Sequence, residues 1–300
     1  MGNNIFNRQN DAIILKSLVS QRRLYSSAKC FSYAPWIISL ILAVISFFWR
    51  VGECNMISWI VATISFVGWE AAIFGEKYGG LLRRKAARIQ QFIDREIFKE
   101  AFTAEDLVSW CNVSLVSELS EENAKVSESD IKKEKVRNWY SDYSELNPLH
   151  AVFCCQRENL RWDKKLRVFV LLCVLFCLFF CGIVWCIKVW NLKVCEVLPV
   201  LVSGGGVVSI LIKILVGLIF DLVRMGRIST VTDIVEATLR QGSDPAPLLI
   251  TLQGLIYDNR CSVVLIPDFV YKMLQKKYQK NEDSIAKVYV ETEDNGVALC

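Results

Sequence analysis

The stretch "CCQRENLRWDKKLRVFVLLCVLFCLFFCGIVWCIKVW", residues 154–190, decides how the chain is organised. Its first part carries Arg157, Arg161, Lys164, Lys165 and Arg167, and no charge follows between Arg167 and Lys188. Just upstream, Asn147–Pro148 supplies a helix start, because proline suits the first helical turn. Nothing breaks the pattern before Gly182. One helix over about 148–190 is expected, roughly 60 Å long at 1.5 Å rise per residue. On it Gln156, Asn159 and Asp163 stand at i, i+3 and i+7 and share a face, with Arg157 and Arg161 in a neighbouring row. Headgroup anchoring accounts for Lys164, Lys165 and Arg167, with Trp162 at the interface. It does not account for an amide–amide–carboxylate row, which fits a packed polar network coupling cytoplasmic helices to a membrane span.

The whole composition agrees with such a division. The 300 residues are 53% hydrophobic yet 22% charged, with a mean hydropathy of +0.32. That is too apolar for an ordinary soluble domain and too charged for a chain lying wholly in lipid. The apolar residues gather in 35–49, 55–75, 166–190 and 198–220. The third and fourth meet the ~20 residues needed to cross a bilayer, and the first does so if it borrows 31–34. No small-residue cleavage site follows the first stretch, so a signal peptide is not expected. Cations concentrate before the first span, after the second, before the third and after the fourth: Arg8, Lys16, Arg22, Arg23 and Lys29, for example, precede residue 35 beside a single acid, Asp11. This asymmetry predicts both termini and the central region in the cytoplasm. The net charge of +4 is then an orientation signal, and no nucleic-acid polymer is expected as a partner.

Twelve cysteines do not make a disulfide scaffold here, since most fall in a span or on the reducing side. Cys173, Cys177 and Cys181 repeat every fourth residue as a packing stripe. Cys54 and Cys195 fall in or beside the two short outer loops and are candidates for a periplasmic disulfide. With one histidine, His150, and no C-x-x-C pair, no zinc site and no other metal or cofactor is expected. His150 beside Cys154 and Cys155 reads as neighbours on a helix face rather than a nucleophile and its base. "SGGG" at 203–206 lacks the lysine and preceding strand of a phosphate loop, and Gly205 with Ser209 suits close helix packing. No catalytic residue is expected.

The remaining segments read as helices. Residues 9–33 form an amphipathic helix capped by Asn10 or Asp11, with Pro35 opening the span beyond. Leu82, Ala86, Ile89, Ile93 and Ile97 recur at helical spacing. Thr103 caps a helix start in "TAED". The charged run 117–136 is a solvated helix or excursion, further helices fall near 230–240 and 246–258, and Pro267 or Asp268 starts a last one. The tail from 282 looks weakly organised. The expected fold is an all-α membrane protein: a cytoplasmic N-terminal helix (1–34), a transmembrane hairpin (35–75), a cytoplasmic helical region (76–165), a second hairpin (166–220) and a cytoplasmic C-terminal region (221–300). Two charges lie inside spans, Glu70 and Lys213, at depths of roughly 9 and 12 Å by helical rise. They either pair and become pore-lining or reach headgroup water separately.

Several stretches, in order along most of the chain, carry a family likeness: "QN" (9–10), "QRRLYSSAK" (21–29), "AARIQQFIDREIF" (86–98), "NWY" (138–140), "CQRENLRWDKKLR" (155–167) and "IPDFVY" (266–271). With them the sequence resembles the SMODS-associating four-transmembrane effector family of bacterial cyclic-oligonucleotide (CBASS) antiphage defence. Gln91 and Ile93 stand where an acidic residue and Phe are usual, Ser141 where Pro is, and Phe269 where Trp is. The resemblance implies an inner-membrane effector that senses a cyclic oligonucleotide, oligomerises and permeabilises the bilayer. A homo-oligomer is expected because a lone four-helix bundle is filled by its own side chains. Arg157 and Arg161 are candidate phosphate partners, and Trp139, Tyr140 and Trp162 candidate stacking platforms; a purely structural role is the favoured reading of the same residues. The competing class is a non-pore membrane scaffold or receptor for a cytosolic partner or lipid.

Overall fold

The computed structural model describes residues 3–48, 56–108, 114–190, 194–262 and 264–294, and every regular element among them is helical. In chain order these are α1 (Ile5–Arg8), α2 (Ala12–Phe48), α3 (Met56–Phe98), α4 (Ala104–Val108), α5 (Ser114–Ala124), α6 (Glu128–Glu134), α7 (Pro148–Trp190), α8 (Val194–Arg240), α9 (Ala246–Ser262) and α10 (Asp268–Asp294). α7 starts at the proline and runs unbroken through 190, as the absence of breakers predicts. Each of the four long helices passes straight through one expected border, at 34/35, 75/76, 165/166 or 220/221. Pro35 is therefore an interior residue of α2 and not the start of a new helix. A proline there forfeits one backbone hydrogen bond, a loss a long helix packed along α3 tolerates.

One half of the molecule has a conventional core. The spaced isoleucines of α3, Ile89, Ile93 and Ile97, are buried with Ala86 against Ile14, Leu18 and Val19 of α2. Phe153 and Val152 of α7, Val235 of α8, and Leu249, Leu252 and Ile256 of α9 complete it. The charged run 117–136 resolves into α5 and α6. Ser127 caps α6 in a reciprocal box with Asp130, its backbone N–H donating to the carboxylate at 2.9 Å. These hydrogen bonds hold the Asp130 carboxyl down at about 2. Thr103 and Asp106 cap α4 the same way. Pro267, whose carbonyl accepts the Val270 N–H at 3.1 Å, turns the chain into α10.

The tail departs from expectation. α10 continues to Asp294, because Ala286, Tyr289 and Val290 fold against the core. A short apolar face at helical spacing holds a segment whose other residues are charged.

In the other half the pattern inverts. Leu172, Phe176, Phe179, Phe180 and Ile187 of α7, Ile212 and Phe220 of α8, Ile37 and Ile41 of α2, and Phe74 of α3 are all exposed. So large an exposed apolar surface marks contact with a partner or a membrane. Among the described residues, one helix is long and apolar enough to cross a bilayer, at Pro148–Val184, with a mean hydropathy of 2.8 in its most apolar window. α2 and α3 approach closely near the boundary between halves: a Cβ on Gly79 would lie 2.9 Å from the Ala28 carbonyl oxygen.

Candidate functional site

Where α7 changes from polar to apolar, Arg167 is 2% exposed. Its guanidinium holds Asp163, one turn back on the same helix, in a bidentate pair at 2.9 and 3.0 Å. It also donates to Asp221 of α8 at 2.6 Å and to the Val264 carbonyl at 3.1 Å. Asp221 in turn accepts the Val264 N–H at 2.8 Å, and Asp163 accepts from Asn259 of α9 at 3.2 Å. A buried arginine must satisfy its fork of donors, and this one ties α7, α8, α9 and the α9–α10 linker into a single joint. The described part of the linker is held at further points. Tyr33 of α2 donates to the Leu265 carbonyl, and Asp268 accepts from Ser26 at 2.7 Å and pairs with Lys29. A Cβ on Gly217 of α8 would come within 2.6 Å of a Val264 methyl, so any larger residue there would force the Val264 side chain to shift.

Deeper in the body a second network crosses the core. Gln156 donates to Gln253 of α9 at 3.0 Å, and Gln253 donates to Gln91 and Asp94 of α3 at 2.9 and 2.8 Å. Asp94 also accepts from Arg260 at 2.5 Å and from the Tyr140 hydroxyl at 2.9 Å, which accepts from Asn159 at 2.7 Å. Burial works against the Arg260 charge, but Asp94 and the neighbouring tyrosines Tyr140 and Tyr25 together outweigh it, so its pKa rises. Burial and then Asp94 push the Tyr140 phenol well up, keeping it a neutral donor. Gln156 and Asp163 thus both reach α9, and Asn159 reaches the loop before α7.

A third cluster joins α7 to α10. Arg161 donates to Glu282 at 2.6 and 2.9 Å and Lys165 does so at 2.9 Å, with the Glu282 side chain fully buried. Beside it Glu158 accepts from the Ser141 N–H and the Tyr143 hydroxyl, each at 3.2 Å. Burial pushes the Glu158 carboxyl up to about 7, against those hydrogen bonds.

The model of the SMODS-associating 4TM effector domain matches residues 3–288. The chain belongs to that effector family. It is also similar to a protein of Bacillus cereus (strain VD146) described as a probable CBASS effector molecule, 27% identical over 168 residues. The match covers 53% of this chain and spans about half the length of that relative, 54%. No solved structure matches.

Within this effector chain the candidate nucleotide contacts are already occupied. Tyr140, 1% exposed, lies in the core with its ring 5.9 Å from Phe98, so it offers no open face for a base. Trp162 packs between Tyr271 and Tyr278, at 5.7 and 5.5 Å between centroids. Arg22 covers the Trp139 ring. Arg157 pairs with Glu236 at 3.2 Å and Arg161 with Glu282. The cavity that these two arginines line with Tyr143 and Cys154 has room for about one water. Cys154 and Cys155 are buried, and burial followed by Glu158 raises the Cys155 thiol well above its ordinary value, the opposite of an activated nucleophile. Lys213 pairs with Glu76 of α3, while the Glu70 side chain lies outside the described residues. Cys54 and the Cys195 side chain, with the Gly205–Ser209 packing pair, likewise fall outside them.

Sequence reasoning assigned Arg167 to headgroup anchoring and passed over Asp221, Asp94, Arg260 and Glu282. Only Asp163, four residues from Arg167, signalled the joint locally.

Proposed function

We propose that this chain is a non-enzymatic inner-membrane effector of antiphage defence: on sensing a cyclic oligonucleotide it oligomerises and permeabilises the bilayer. In this reading four spans, formed by the apolar parts of α2, α3, α7 and α8, hold both termini and the ion-paired body in the cytoplasm. The carrying observation is the course of α7, one unbroken helix rooted in the body through Arg167 and Glu282 and ending in an exposed apolar run. Membership of an effector family supports the defence role.

A rearrangement of the body around a nucleotide would reach the apolar run through the Arg167 joint, because that joint binds α7, α8 and the α9–α10 linker at the boundary. Several copies would then line a conducting path.

The test is release of a trapped dye from liposomes containing the purified protein. Release on adding a cyclic oligonucleotide, and none without it, is the expected result. Nucleotide binding with no release under any condition would overturn permeabilisation and leave a receptor or scaffold.

A further inference from the structure

We infer that the outward face of α10, from Phe269 to Lys280, is a docking surface for anionic phospholipid, resting on the membrane placement just proposed. At 100° per residue, Phe269, Lys272, Met273, Lys276, Lys277 and Lys280 fall within an arc of about 140°, and all six are exposed. The other six residues of that stretch are buried or half-buried, with Tyr271 and Tyr278 holding the helix against Trp162. The outward arc therefore consists of lysine, Phe and Met alone. It holds no acid, and Lys276, Lys277 and Lys280 enter no ion pair among the described residues.

Position selects the occupant. Trp162 lies five residues before Arg167, about 8 Å by helical rise, and the exposed apolar run begins at Val168. Asp268 at the start of α10 is pinned to α2 through Ser26 and Lys29. Phe269 and Met273, 71% and 57% exposed, sit at the end of α10 nearest that run. Two large apolar groups followed by a row of ammoniums match a lipid interface, where the former enter the acyl boundary and the latter meet phosphates. A purely anionic surface would satisfy the lysines and leave Phe269 and Met273 in water.

Amine acetylation of the full-length protein in lipid nanodiscs, read by mass spectrometry, tests this. Discs of phosphatidylcholine alone are compared with discs holding about 30% phosphatidylglycerol, an anionic lipid of the kind such helices recognise. Lys272 and Lys276 are expected to label about fivefold more slowly in the anionic discs, with Lys132 and Lys133 of α6 unchanged. Raising salt to about 0.5 M should remove most of the difference. F269S/M273S should show less protection at the intact lysines. Equal rates in the two lipids overturn the inference, as does protection that requires an added polyanion such as heparin. Loss of the protein from membranes on alkaline carbonate extraction instead sinks the membrane placement itself, whereas retention with equal labelling sinks only the lipid patch.

Discussion

Deleting the Arg167 side chain would leave Asp221, 3% exposed at its side chain, as a buried carboxylate without its main cation. Breaking a buried pair from one side costs about 3–5 kcal/mol, so R167M should lower the melting temperature of the detergent-solubilised protein markedly. R167K should recover only part, because an ammonium cannot hold Asp163 in a two-point pair while also reaching Asp221. Equal melting of R167M and wild type would remove Arg167 from the joint. Glu158 gives a second prediction. Its native pKa of about 7 lies above the 4.5 of an unperturbed glutamate. The folded protein then holds a proton that the unfolded chain releases, so this residue's contribution to stability falls as pH rises from about 4.5 to about 7. The difference is about 3 kcal/mol at full effect. Tyr143, Arg161 and Glu282 face the same group, as does Cys155. E158Q keeps an acceptor for Ser141 and Tyr143, and should flatten the decline in denaturant midpoint between pH 5 and pH 8; an unchanged slope would assign the decline elsewhere. The partners that close these clusters across helices are distant in sequence. Asp221 is 54 residues from Arg167 and Glu282 is 121 from Arg161, which is why a run of cations beside an apolar stretch read as membrane anchoring.

Among the elements, the α2–α3 contact makes the sharpest comparison, since adjacent glycines differ in surroundings. A Cβ on Gly79 would meet the Ala28 carbonyl at 2.9 Å, whereas one on Gly80 meets nothing within 4 Å. G79A should therefore destabilise by about 1–3 kcal/mol through overpacking. G80A should be neutral or stabilise by up to about 1 kcal/mol, from helix propensity. Thermal melts of the two variants side by side test this, and equal effects would place the helices further apart than described. At this scale much was legible. Pro148 and the lack of any later breaker marked α7, and the isoleucine spacing marked the buried face of α3. What escaped was continuity where a local signal argued otherwise. Pro35 looked like a helix start but lies inside α2, and the charged tail is ordered through contacts made by Ala286, Tyr289 and Val290. In both places tertiary packing overrides the local preference.

For the whole molecule, the proposed topology makes one demand that needs no trigger. Protease added to inverted inner-membrane vesicles should cut in the α4–α6 region and near both termini. Added to spheroplasts, it should reach only the short outer connections near 49–55 and 191–193. Cleavage of α5 or α6 from outside would reverse the orientation. The family and the all-helical architecture could be read from the order of short motifs and four apolar stretches. The interior of the body could not, because Asp94, Tyr140, Gln156, Gln253 and Arg260 form one network only after four separate segments meet.

Because α7 is continuous and gripped at Arg167, it can behave as a seesaw. About 28 Å of helix lies between that grip and Pro148, and about 35 Å between it and Trp190. Tilting the inner arm so that Pro148 swings by about 4 Å would carry Trp190 about 5 Å the opposite way, by proportion of those lengths. A nudge no larger than a side chain, applied at the Pro148 end, would thus arrive at the Trp190 end undiminished.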